Sequence, residues 1–357
     1  GAELAEALPE VDAVAGFGVP VTIGKKQLPS FDLLNLPRPP ASAPWAYVKV
    51  AEGCDRACGF CAIPSFRGPQ RSRTVESILD EVDQLQVPGS GCPGVKEIVL
   101  VAQDLASFGR DQGEGARRIV PLVRAVAERV ARTRLLYLYP SDLTDALVDA
   151  VCDTGVPYFD LSLQHVSRPL LRRMKRWGDG DRFLSRIDDI RAREPDAAFR
   201  SNFIVGYPGE TEDDHDALLR FVEDAQLDWC GFFTFSEETG TLAATQDRKV
   251  DRSLARERHL ELTELQDRIT ARRRDALVGA RVEVLVDTPG VGRTHREAPE
   301  IDGIVRVPND IAPGTFATLD VIAAEGPDLE AAAIPADQGA VARLPVLDGG
   351  LRRESST

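Results

Sequence analysis

The chain has 357 residues, 43% of them apolar and 28% charged, with a formal net charge of −14. A chain of this length buries a core without disulfide staples, and it contains no run of about 18 apolar residues that would cross a bilayer. The acidic excess argues against tight binding to bare nucleic-acid backbone, which needs clustered Lys and Arg. It fits either a basic protein partner or a surface that simply stays solvated.

The chain opens on GAELAEALPEVDAV, acidic and without a Met or a basic start, which is not the pattern of a signal peptide. It reads as the remainder of a longer protein, with residues 1–44 a domain remnant ending in a Pro-rich linker. From residue 45 short β-rich runs alternate with amphipathic helical stretches. The runs are WAYVKVAEG (45–53), KEIVLVAQD (96–104), RLLYLYPS (134–141), YFDLSLQH (158–165), FRSNFIVGYPG (199–209) and CGFFTFS (230–236). The helical stretches cover 74–85, 117–132, 142–153, 181–194 and 212–226, the last with Thr211 as N-cap ahead of Glu212 and Asp213. This alternation predicts an α/β fold: a parallel sheet with helices outside, six units forming a partial TIM-like (β/α)6 barrel over 45–250. Residues 251–277 read as a solvated, charged linker helix with a Leu/Ile stripe turned to the barrel. The Val/Ile runs of 278–345, broken by Gly and Pro, read as a small all-β barrel, and 346–357 as a disordered tail.

Three of the six cysteines stand within eight residues, Cys54-x3-Cys58-x2-Cys61, on the loop after the first predicted strand. Three thiolates at this spacing grip one small soft-metal site. A four-iron cubane would take all three and leave one iron open. A structural zinc is the alternative, but it wants a fourth ligand, and no Cys or His stands at suitable local spacing. Cys92, Cys152 and Cys230 are scattered as buried small hydrophobes are, and the whole pattern suits a reducing, cytoplasmic setting.

The C-x3-C-x2-C motif with Phe60 before its last cysteine resembles the radical S-adenosylmethionine (SAM) superfamily. EGCDRACGFCAIPSFRGPQRSR, VAQDLASFG, LSLQH, RRMKR and FIVGYPGET together resemble its methylthiotransferase branch, over nearly the whole chain. The stretches Ile63–Gly68 and AQDLASFG favour the members that modify an aspartate of a small-subunit ribosomal protein over those that modify transfer-RNA adenosine. APEIDG (298–303) makes the closing module resemble a TRAM domain, an OB-like barrel.

The resemblance implies a [4Fe–4S] cluster on Cys54, Cys58 and Cys61 with SAM on its open iron. It implies an electron donor such as a flavodoxin, a basic ribosomal protein as target, and no membrane or dominant RNA contact. It offers Phe60, Gln103, Gln164, Arg200 and Gly206 as contacts to SAM or substrate, each with an ordinary structural role as the alternative. His165 reads as a buried, satisfied histidine rather than a base. Gly206, Pro208 and Gly209 read as a tight turn, and Arg67, Arg71 and Arg73 as a basic stretch for an acidic target or for solvent. A second cluster is expected only from an N-terminal domain, since no Cys precedes Cys54. The β module is expected to recognise the target and to be unnecessary for radical generation.

Overall fold

A computed structural model describes residues 41–89, 92–113 and 118–333. The expected N-terminal remnant, most of the Pro-rich linker and the tail lie outside them. In chain order the elements are β1 (Trp45–Lys49), β2 (Ala51–Glu52), α1 (Ile63–Arg67), β3 (Arg71–Ser72), α2 (Val75–Leu85), β4 (Glu97–Val101), α3 (Ile119–Ala127) and β5 (Arg132–Leu135). They continue with α4 (Asp145–Cys152), β6 (Tyr158–Gln164), α5 (Arg168–Arg173), α6 (Gly180–Arg193), β7 (Ala198–Val205), α7 (Glu212–Ala225), β8 (Trp229–Thr234) and α8 (Arg252–Asp275). The last five are β9 (Arg281–Thr288), β10 (Val291–Arg293), β11 (Val305–Arg306), β12 (Phe316–Glu325) and β13 (Asp328–Ala333). Among the described residues no helix is long and apolar enough to cross a membrane.

The six units form as the alternation predicts. Strands β1-β4-β5 and β6-β7-β8 make two parallel three-stranded sheets, joined by a bridge between Leu138 and Leu161. Side chains of one strand face alternate into two layers. The outer layer packs Val48, Ile98, Leu100, Phe159 and Phe203 against helical Ile78, Leu122, Val151, Ile187 and Leu218. The inner layer packs Tyr47, Val99, Leu136, Tyr158 and Trp229 around the barrel interior. Helix starts follow local chemistry: Thr74, Thr144, Ser167, Asp179 and Asp251 each accept from a first-turn amide. Thr211 and Asp214 complete a capping box, as the sequence suggested for Thr211.

Several boundaries differ from the sequence reading. β5 covers 132–135 rather than 134–141, because Tyr137 takes φ 63° and turns the chain toward the Leu138 bridge. β7 ends at Val205, where Gly206 has φ 76°. The third helix begins at Ile119 and ends at Ala127, short of 132.

Strands β10-β11-β13-β12-β9 close a five-stranded barrel with its own core of Val284, Val286, Val305, Leu319 and Leu329. This module does not stand apart. Its segment from Arg293 to Asp302 seals the end of the large barrel at which the strands begin. Trp229 Nε1 donates to the Arg296 carbonyl (2.7 Å), Tyr47 Oη to Pro299 O (2.9 Å) and Tyr158 Oη to Asp302 Oδ2 (2.6 Å). Glu97 pairs with Arg134 (2.7 Å) and Arg293 (2.9 Å), all three buried. Burial alone would raise the Glu97 carboxyl, but Arg134, Arg293 and Arg132 outweigh it and hold it at about 2. Helix α8 is equally committed. It buries Ala255, Leu262 and Ile269, and on the same face Arg258 and Arg274, paired with Glu210 and Glu297. The expectation of a solvated helix therefore holds only for its outer face.

Candidate active site: the cysteine loop

The cysteine loop leaves the sheet at the end where the parallel strands finish, the end at which barrel enzymes place their chemistry. Its base is a two-residue antiparallel clasp of β2 and β3. Inside the clasp Cys54 N donates to Gly68 O (3.2 Å) and Gln70 N to Asp55 Oδ1 (3.1 Å). Gly53 has φ 83°, and a Cβ there would stand 2.2 Å from Pro69 O, so the clasp requires glycine. The loop's far side is pinned through Gly59, whose N donates to Met174 O (2.8 Å) and whose carbonyl accepts from Ala243 N (2.8 Å).

Arg56, between the first two cysteines, is the third anchor. Its Nε donates to Asp104 Oδ2 (2.6 Å) and its Nη2 to Asp142, with Ser107 Oγ at 3.4 Å. Both carboxylates are buried. The guanidinium lies 3.8 Å from the Tyr139 ring centre, and Arg176 lies 4.0 Å from the same ring. Arg176 Nη1 donates to Cys58 Sγ at 3.5 Å.

Cys54 is buried and Cys58 and Cys61 are half-buried. Burial pushes the Cys54 thiol up to about 11, partly offset by the Arg56 amide, and raises Cys61 as well. Each of these two thiols also responds to charge on Cys58, so the three share one neighbourhood. Among the described residues no three Cys, His, Asp or Glu converge as ligands of a single ion. A cubane does not require that convergence, since its three thiolates bind three different irons. One pinned loop carrying three partly buried thiols, with two guanidiniums beside them, is a donor set that fits such a cluster.

The other sequence candidates fall in different places. Gln103 Oε1 accepts from Gly53 N (2.9 Å), so it braces the cysteine loop. Phe60 is half-buried and packs on the main core. Gln164 ends β6 at the same end of the barrel, in the left-handed region at φ 69°. That conformation costs a non-glycine residue about 1–3 kcal/mol and tends to mark functional positions. Gly206 is fixed by packing as well as by its turn, because a Cβ there would meet Ala255 Cβ at 2.5 Å.

Arg200 departs from expectation. It sits in the first half of β7, ion-paired with Asp302 of the β module (3.4 Å) and near Asp160, toward the sealed end. Its guanidinium is occupied because that end is closed by the module. His165 is fully buried, its Nδ1 accepting from Ser167 N (3.0 Å), and burial holds it down at about 4. Of the basic stretch, Arg73 is buried against Glu81, Lys49 O and Ser77 O, and Arg67 pairs with Glu52 (3.2 Å). Arg67 and Arg71 both remain exposed.

Comparison with known proteins agrees with this geometry. The Radical SAM superfamily model matches residues 48–222, and the TRAM domain model matches 278–334. The ribosomal protein uS12 methylthiotransferase RimO of Moorella thermoacetica is 43% identical over 281 residues, 77% of this chain and 64% of that protein. Its counterpart from Salinispora tropica is 42% identical over 307 residues, covering 81% and 59%. That of Streptomyces coelicolor is 38% identical over 395 aligned positions, covering 93% and 79%. The chain thus spans about three fifths of the first two relatives. It belongs to the RimO family of radical SAM methylthiotransferases.

Proposed function

We propose that this chain generates the SAM-derived radical for methylthiolation of the β-carbon of an aspartate in a small-subunit ribosomal protein. The observation that carries the reading is the pinned loop with Cys54, Cys58 and Cys61 at the chemical end of the barrel. In this reading the three thiols lose their protons to hold a [4Fe–4S] cluster. When bound, the cluster and SAM supply a one-electron cleavage that yields a 5′-deoxyadenosyl radical. The chain's own contribution is position and exclusion of water. Gln103, through the Gly53 amide, and Arg56, through Asp104 and Asp142, keep the loop in place. Phe60 and Gln164 are the residues we propose to meet SAM or the target side chain. The relatives' names support uS12 as the protein acted upon, and the charge of −14 supports a basic one. A flavodoxin-class protein would supply the electron.

Anaerobic reconstitution should give about four irons per chain and 5′-deoxyadenosine from SAM after reduction. Cys58→Ala should lose both. Zinc in place of iron, or an intact cluster spectrum in that variant, defeats the reading. Mass spectrometry of uS12 and of transfer RNA after incubation then separates the two targets. A methylthio gain on transfer RNA alone would overturn the assignment of substrate.

A further inference from the structure

We infer that Arg176 is a positioning residue for the cluster, which raises the cluster's reduction potential by donating to the Cys58 sulfur. The inference rests on the cluster reading above and adds a tuning element to it.

The placement of Arg176 is fixed by its own chain. Helix α5 ends at Arg173, Lys175 takes a left-handed φ of 54°, and Arg176 N returns to Leu171 O at 2.7 Å. That turn throws the side chain back across the cysteine loop. There Nη2 donates to the Ser162 carbonyl, and the guanidinium plane meets the Tyr139 ring at 4.0 Å. With those contacts made, Nη1 is left aimed at Cys58 Sγ, 3.5 Å away. Arg56 occupies the same ring at 3.8 Å, but its charge is spent on Asp104 and Asp142. No carboxylate is paired with Arg176 among the described ion pairs, so its positive charge is directed at the sulfur.

The consequence follows from charge. Reduction adds one electron to the cluster, taken from a low-potential reductant that is oxidised in the same step, and no bond in the protein forms or breaks. The reduced cluster is the more negative state. A charge-assisted donor on one of its thiolates stabilises that state more than the oxidised one, which raises the potential. A lysine could keep the charge, but it offers no plane to stack on Tyr139 and no fork to reach Ser162 O and Cys58 together.

The test is a redox titration of the reconstituted chain with dithionite, alongside iron and sulfide analysis. Arg176→Met should keep the parent's iron content and lower the reduced-to-oxidised ratio about tenfold at fixed ambient potential, about 59 mV for one electron. Arg176→Lys should fall between the two. Tyr139→Leu, which removes the stacking surface, should shift in the same direction, while Tyr139→Phe should match the parent. An Arg176→Met chain with full iron content and the parent potential overturns the inference. If that variant fails to hold iron, parent potentials in both Arg176→Lys and Tyr139→Leu overturn it. A parent chain that binds no iron removes the cluster reading and this inference together, whereas equal potentials in loaded chains remove the inference alone.

Discussion

Replacing Glu97 by Gln should destabilise the whole chain although the site is remote from the cysteine loop. The carboxylate is completely buried, 2.7 Å from Arg134 and 2.9 Å from Arg293, which belong to the barrel and the β module respectively. Gln preserves the shape and removes the charge. Arg134 then faces a neutral amide beside the His295 carbonyl and the Tyr158 ring, with no carboxylate among its described partners, and Arg293 keeps Asp287. Breaking one partner out of a buried ion pair costs about 3–5 kcal/mol, because the other charge stays desolvated. At about 2–4 °C per kcal/mol for a chain of this class, the melting temperature should drop by roughly 10 °C. Thermal melting by circular dichroism, with urea titration as a second readout, measures this. Arg134→Met added to Glu97→Gln should recover part of the loss by removing the stranded cation. A Glu97→Gln chain that melts within about 2 °C of the parent would refute the claim that this seam holds the two barrels together.

In an Asp302→Asn background, acid should weaken the fold well above the carboxylate range. His165 is held at about 4 against an ordinary 6.5, so the stability it contributes is present above 6.5 and is lost as pH falls toward 4. Glu97 and Glu297, held at about 2, add a second loss as pH falls from 4.5 toward 2, while Asp302, pushed up to about 6, opposes the first. Urea midpoints that stay flat from pH 6.5 to 4 in an Asp302→Asn background would contradict this. Gly206→Ala should cost about 2 kcal/mol, since it adds both a left-handed alanine and a clash with Ala255; Ala255→Gly should return only the clash, and unchanged urea midpoints would count against it. A chain ending at residue 277 should fail to fold or to retain a cluster, because it uncovers Glu97, Arg132, Arg134 and Trp229. A soluble, cooperatively melting product with full iron content would refute this and favour the expectation that the module is unnecessary for radical generation.

What the sequence made legible is what depends on neighbours in the chain. Cys54, Cys58 and Cys61 can be read because ligand spacing is local, and the six units because a strand and its helix each carry their own period. Thr211 can be read because a cap needs only three residues beyond it. What depends on distant pairing stayed hidden. Arg56 meets Asp104 and Asp142 from 48 and 86 residues away, although Asp104 sits in AQDLASFG, a stretch that drew attention for other reasons. An arginine lodged inside a cysteine loop was the one available signal. Arg258 and Arg274 looked like solvent-facing charges because composition cannot show which face of α8 Glu210 and Glu297 will meet. Arg200 looked like a site residue because strand position alone does not reveal which end of the barrel is closed.

Two of these, the pairings of Arg274 with Glu297 and of Arg200 with Asp302, come from the docking of the β module, and that docking bears on how the site works. Barrel enzymes divide their labour, with chemistry at the ends where strands finish and stability where they begin. Here the second end is sealed by Arg293, Pro299 and Asp302 of the module, joined to Tyr47, Glu97 and Tyr158 of the barrel. Asp302 also reaches Arg200, so the module supplies part of the inner wall as well as the lid beneath it. A target held by the module would therefore be carried on a rigid seam rather than on a tether, at a fixed distance from the cysteine loop. Buried ion pairs suit that task. They add little net stability over an apolar seam, but they penalise any shift that separates the partners, and so they favour one register between the two barrels.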